Sequence, residues 1–234
     1  MNIYFTGDTH GGQGNTSLYE RLEKVENDSV LLIAGDFGYV WDRKYLMKIS
    51  PIEQICKRNN IEIYSVLGNH ENYNVINKLP IVEKYGGKCY QVSESIFFFC
   101  NGELFDFGQC KLAVWGGGLS IDKEFRTPGK SWWAAEIPTH QAFYDFMDKL
   151  ETINTKEYIL FTHVPSTETT ERLLWTGNPK FADPVGQQVS SLKNYFEFNH
   201  HVFGHLHDDK LFADETLIWE DVLELSYIKV RCEF

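Results

Sequence analysis

The chain has 234 residues, 43% of them hydrophobic and 24% charged, which suits one soluble domain over 1–234 with ample length to bury a core. Its apolar runs are too short to cross a bilayer and its N-terminus shows no removable leader, so a cytoplasmic protein without a membrane partner is expected. A formal net charge of −11 speaks against broad nucleic-acid binding, which needs a Lys/Arg surface, but is compatible with a small phosphorylated substrate drawn to a cationic centre.

In chain order, the first third alternates strands and helices. Apolar runs at 2–6, 29–34 and 61–67 read as strands. Residues 16–27 form a helical pattern with Leu18, Leu22 and Val25 on one side, and 45–58 another with Leu46, Ile49, Ile52 and Ile55. A short helix is predicted near 72–78, stopping before Pro80. This βαβαβ opening implies parallel strands joined by right-handed crossovers. After Gly86 and Gly87, short strands are expected at 89–92, 96–100, 102–107 and 111–115, making a second, more antiparallel sheet. Helices follow at about 138–154 and 185–198, with strands at 158–161 and 201–203 and a strand-rich end over 217–234. Two long irregular stretches, 116–137 and 164–184, exceed ordinary connections and are read as functional loops. The five cysteines are scattered, with no CxxC pair, and read as reduced structural thiols.

Each of five strands is followed at once by residues able to hold a metal ion. These are Asp8 and His10, Asp36, Asn69 with His70 and Glu71, His163, and His205 with His207. Five of the eight histidines fall in this set. Mixed nitrogen and oxygen donors without thiolate suit Mn, Fe, Zn, Ni or Co better than a cage for Mg or Ca alone. Glycines precede the ligand residues where strands become loops, allowing unusual dihedrals and close backbone approach. His140, His200 and His201 lie outside the set and read as structural.

The ordered pieces D-x-H, G-D, G-N-H-E, H and G-H-x-H, running from Asp8 to His207, resemble the signature of the calcineurin-like metallophosphoesterase superfamily. The resemblance implies an α/β fold: a β-sandwich of two mixed sheets flanked by helices, with a dinuclear metal site at the C-terminal ends of strands. It implies that one ion takes Asp8, His10, Asp36 and His207, and the other Asp36, Asn69, His163 and His205, with Asp36 bridging. It further implies a catalytic role for His70 at the phosphate or leaving group, with Glu71 beside it to orient the imidazole.

Two cations about 3.5–4 Å apart can activate a bridging hydroxide for in-line attack at phosphorus and neutralise the charge that builds there. The expected activity is therefore hydrolysis of a phosphomonoester or phosphodiester, with a nucleotide among the candidate substrates. Residues 35–43 lack the G-D-x-V-D-R-G pattern of Ser/Thr protein phosphatases, despite Asp42 and Arg43, so that reading is an alternative only. A non-catalytic interaction scaffold on the same fold is the other alternative. In the loop 116–137, Arg126 is a candidate to fork onto a phosphate oxygen and Trp132 or Trp133 to stack on a base. Asn69 is a candidate substrate contact as well as a ligand, and Trp175 a candidate lid element.

Overall fold

Strands β1 (Asn2–Thr6), β2 (Ser29–Ile33) and β3 (Ile61–Ser65) lie side by side in parallel, with Ile3 opposite Val30 and Leu31 opposite Ile63. All five residues of β2 are buried, as a central parallel strand covered on both faces requires. The computed structural model describes residues 1–13, 16–42, 44–174 and 183–229. The return paths of this opening are helical. Helix α1 (Leu18–Leu22) is shorter than its pattern suggested; its start is set by a capping box in which Ser17 and Glu20 satisfy each other's backbone N–H groups. Helix α2 (Tyr45–Asn59) buries Ile49, Ile52 and Cys56, whereas Leu46 is exposed. Helix α3 (Tyr73–Ile76) is one turn capped by the Asn72 side chain.

The middle of the chain departs from expectation. Strands β4 (Ile81–Lys84), β5 (Gly87–Gln91) and β6 (Ile96–Phe99) extend the first sheet, in which β6 pairs in parallel with β3. Strands β7 (Leu104–Asp106) and β8 (Lys111–Trp115) belong instead to the second sheet. That sheet is completed by β9 (Tyr158–Thr162) and β10 (His200–Phe203), parallel to β8 in turn, and by β11 (Lys210–Leu211) and β12 (Glu215–Leu217). Strand β13 (Leu223–Glu224) crosses back to pair antiparallel with β1. The orders are β13-β1-β2-β3-β6-β5-β4 and β11-β12-β10-β9-β8-β7.

Both sheets are mixed, and three apolar clusters hold the layers together. Ile3, Phe5, Leu32, Val114, Phe161 and Val202 meet between the sheets. Tyr4, Leu31 and Ile33 face outward onto Leu18, Leu22, Ile49 and Ile52 of α1 and α2. On the far side, Trp115 and Leu160 pack under α4 (His140–Glu151) and α6 (Pro184–Tyr195) through Phe146, Leu150, Val189 and Leu192. The result is the expected sandwich of two mixed sheets flanked by helices. Two readings need correction. The stretch 164–184 contains a helix, α5 (Thr167–Leu174), and the end of the chain continues from β13 into α7 (Leu225–Lys229) rather than into further strands. Leu225 and Ile228, three residues apart, both reach the inter-sheet core, a helical spacing that alternation alone obscures. Among the described residues no helix is long and apolar enough to cross a membrane.

Candidate metal centre

Every predicted ligand sits just past the C-terminal end of a strand: Asp8 and His10 after β1, Asp36 after β2, Asn69 after β3, His163 after β9, and His205 and His207 after β10. The backbone turns sharply there. His10, Asp36, His205 and His207 all have positive φ, between 44° and 69°, a region L-residues enter at a cost and one where functional sites concentrate. Gly35 (φ 99°) relieves part of this crowding, because a Cβ on it would lie 2.3 Å from His163 Nδ1. A Cβ on Gly68 would lie 2.1 Å from Asp36 Oδ1.

Two groups of donors face inward. Asp8, His10 and His207 form one, and Asp8, Asp36 and His163 the other, with the atoms of each within 4.8 Å of one another. In the first, His207 Nε2 lies 3.1 Å and His10 Nε2 3.7 Å from Asp8 Oδ2, and the two imidazole nitrogens are 2.9 Å apart. Asp8 Oδ2 is buried and, these two imidazoles apart, has no hydrogen-bond partner among the described residues. A buried carboxylate oxygen left this way is costly unless a cation neutralises it. In the second group His163 donates from Nδ1 to Ala34 O (2.8 Å), which leaves Nε2 aimed at Asp36 Oδ2 (3.5 Å) and Asn69 Oδ1 (3.0 Å). Anchoring one imidazole nitrogen to a carbonyl is how proteins orient the other toward a metal. Asp36 Oδ2 is also 3.9 Å from His10 Nε2, so this oxygen faces both groups. Asp8 does the same: its Oδ1 accepts from His205 N (3.1 Å) while Oδ2 serves the first group. The His205 ring meets that of His163 edge-on at 4.9 Å.

The electrostatics agree with a site built for positive charge. Burial opposes ionisation of Asp36, yet His163, His70 and His10 hold its carboxyl well below the usual carboxylate range. Burial disfavours the His163 imidazolium, but Asp36 and Asp8 push it up to about 10. Burial and the neighbouring His163 lower His205 to about 4, keeping its ring neutral and its lone pair available. The donor set therefore fits two cations bound by oxygen and imidazole.

Supporting groups surround the ligands. Asn69 Nδ2 donates to Ser120 Oγ (3.4 Å), and Ser120 is held by both oxygens of buried Glu136 at 2.8 Å. Arg21, fully buried, donates from Nη1 to Thr6 Oγ1 (2.9 Å), Gly7 O (2.7 Å) and Trp219 O (2.8 Å), and from Nη2 to Asp8 O (3.1 Å). The Trp219 ring stacks on His207 at 5.2 Å and 14°. Neither Arg21 nor Trp219 carries a sequence signal beyond helix amphipathicity and terminal alternation.

Next to the centre lies a cleft of about 400 Å³ whose walls include His10, His70, Trp41, Lys48 and Arg126. Arg126 Nη2 is 3.2 Å from both nitrogens of His70, while its Nε pairs with Asp122 Oδ1 at 2.7 Å. Burial, and then Arg126, lower the pKa of His70, although Asp36 opposes them. Glu71 does not take the place expected of it. It is fully buried, and its Oε1 accepts from Phe37 N (2.7 Å), so it braces the loop bearing Asp36 rather than the His70 ring. Burial and Asp36 raise its pKa well above the usual range. Trp132 turns its indole N–H to Glu136 Oε1 (2.8 Å) and is absent from the described cleft lining, and Trp133 is buried edge-on against Trp41. Asn69 is buried, with its amide oxygen toward His163. Trp175 and Arg43 lie outside the described residues.

A model of the calcineurin-like phosphoesterase family matches residues 1–209, and the chain belongs to that family. No curated protein sequence matches it. Among solved structures, one described as a 5′-nucleotidase from Staphylococcus aureus is similar at 15% identity and a TM-score of 0.48, over 93% of this chain and 48% of that chain. The sulfate thiohydrolase SoxB of Thermus thermophilus is similar at 10% identity and a TM-score of 0.42, over 94% of this chain and 51% of that chain. The chain thus spans about half the length of each of these proteins.

Proposed function

We propose that the protein hydrolyses a small phosphomonoester or phosphodiester, a nucleotide among them, using two transition-metal ions. One would be held by Asp8, His10, Asp36 and His207, the other by Asp36, Asn69, His163 and His205. The observation that carries this reading is the convergence of buried Asp8 and Asp36 with three imidazoles in two donor groups that share Asp8, beside an open cleft. When bound, such ions activate water at neutral pH and neutralise charge on the phosphoryl group. The chain's own side chains do the rest. Arg126 supplies permanent positive charge at the His70 ring, and its remaining N–H groups suit a phosphoryl oxygen. His70 lines the cleft wall, where an imidazole N–H can support the leaving oxygen. Asn69 is kept in one orientation by Ser120, so its oxygen stays on the metal side.

The test is metal analysis of the purified protein, followed by assays on matched aryl phosphate mono- and diesters with Mn, Fe, Zn, Ni or Co added singly. Two ions per chain and metal-dependent turnover are expected. A fully loaded protein inert toward both ester classes would overturn the reading.

A further inference from the structure

The cleft beside the metal centre differs in charge from the rest of the molecule. The chain carries 33 acidic against 22 basic residues, yet the described cleft lining includes Lys48, Arg126, His10 and His70 and no carboxylate. The two permanent cations are held differently. Arg126 is fixed between Asp122, the His70 ring and Ser131 O, and its side chain is only 14% exposed. Lys48, on α2, is half exposed, with its ammonium 3.6 Å from Asp42, a loose contact that an anion can displace. Trp41 stands in the same wall with its backbone carbonyl accepting from Asn72 (2.5 Å) and its ring braced edge-on by Trp133 at 5.3 Å. The Trp41 ring is only partly buried and lines the cleft, where an indole can stack on another aromatic ring. A volume of about 400 Å³ is in the range that takes a nucleotide-sized ligand.

Resting on the phosphoesterase reading above, we propose that the substrate carries a second phosphate beyond the one hydrolysed, joined to an aromatic ring: the chemistry of a nucleoside diphosphate. Arg126 and His70 serve the reacting phosphoryl group, Lys48 is the specificity-determining contact for the second phosphate, and Trp41 stacks on the ring. A phosphate pair lying between fixed Arg126 and the mobile ammonium of Lys48 gains from both cations at once, whereas a single phosphate at Arg126 gains from one.

The test compares adenosine 5′-monophosphate, adenosine 5′-diphosphate and an aryl phosphate as substrates of the metal-loaded protein. In parallel, binding of non-hydrolysable mono- and diphosphate analogues is followed by tryptophan fluorescence. The diphosphate is expected to exceed the monophosphate at least tenfold in kcat/KM, and Lys48→Gln to bring that ratio close to one through KM. The diphosphate analogue should quench fluorescence in the wild type and much less in Trp41→Leu. Equal kcat/KM for the two nucleotides, or a ratio that Lys48→Gln leaves in place, overturns the proposal. No turnover of any ester, with analogue binding still selective for the diphosphate and dependent on Lys48, would remove the phosphoesterase reading and leave the subsite standing. No turnover and no selective binding would remove both.

Discussion

A fully buried guanidinium sits directly behind the Asp8 backbone, and among the described residues no carboxylate hydrogen-bonds to it. Arg21 instead gathers the carbonyls of Gly7, Asp8 and Trp219, and so fixes one candidate ligand directly and a second, His207, through the stacked Trp219 ring. Arg21→Met leaves those carbonyls without their donor. It should cost about 3 kcal/mol or more in denaturant melts, and weaken one of two metal-binding steps in calorimetry more than the other. Asp36→Asn should lower metal occupancy and reduce turnover by about 100-fold or more, since its Oδ2 faces both donor groups; a variant with two ions and full rate would remove the bridging role. His70→Ala, by contrast, should keep the metals and lower kcat by roughly 10²-fold, most for poor leaving groups. At this scale the sequence was most informative about which donor side chains meet, because Asp, Asn and His behind strand-ending glycines are a chemical pattern as well as a spatial one. Contacts were less legible. Glu71 follows His70 in the chain, but successive residues leave a turn in different directions, and its carboxylate reaches Phe37 instead. Which of two adjacent tryptophans is buried, Trp133 rather than Trp132, depends on Trp41, a residue far away in sequence.

The elements that carry the ligands were read almost at their observed limits, since a run such as Val30–Leu31–Leu32–Ile33 is buried on both faces and has few other uses. The strands in the middle were found as strands, but β5 and β6 join the first sheet rather than the second, where only β7 and β8 lie as expected. Local alternation shows which face of a strand is apolar and says nothing of its neighbour, and β6 joins β3 across more than thirty intervening residues. Strand β4 escaped notice because it is an edge strand whose residues are exposed or half-exposed. The two long loops are tied to one another by Asp183, whose Oδ2 accepts from Leu119 N (2.8 Å) while Oδ1 caps α6 at Val185 N (2.8 Å). Asp183→Ala should therefore cost about 1–2 kcal/mol, the upper part of the range for a lost helix cap, in reversible denaturation. A cost below a few tenths of a kcal/mol would show that the tie is dispensable.

Across the molecule, stability should depend on acid through groups remote from the metal centre. Burial lowers His200 to about 4, so its neutral ring is favoured in the folded protein. A histidine with a depressed folded pKa contributes fully above about 6.5 and progressively less as pH falls toward 4. Glu215 is buried and opposed by desolvation, yet His201 and Lys193 hold it well below the usual carboxylate range, with Arg172 and Thr169 also bonded to it. Its contribution is present above about 4.3 and is lost only below that value. Unfolding free energy should thus begin to fall near pH 6.5 and steepen below about 4.3. His200→Asn should flatten the upper part, by at most about 3 kcal/mol between pH 7 and 4. An unchanged profile would show that His200 does not control it.

Asp8, His10, Asp36 and Asn69 ride on the seven-stranded sheet, whereas His163, His205 and His207 ride on the six-stranded one. Any cation gripped by both sets would act as a rivet across the seam of the sandwich, and catalysis and mechanical integrity would then share the same fastening. Treating loaded protein with a chelator should lower its melting temperature as well as its activity, by an amount that grows with the logarithm of the metal concentration withdrawn. Opening should begin at the ligand-bearing rim, where amide exchange would rise before it does under α2 or α4.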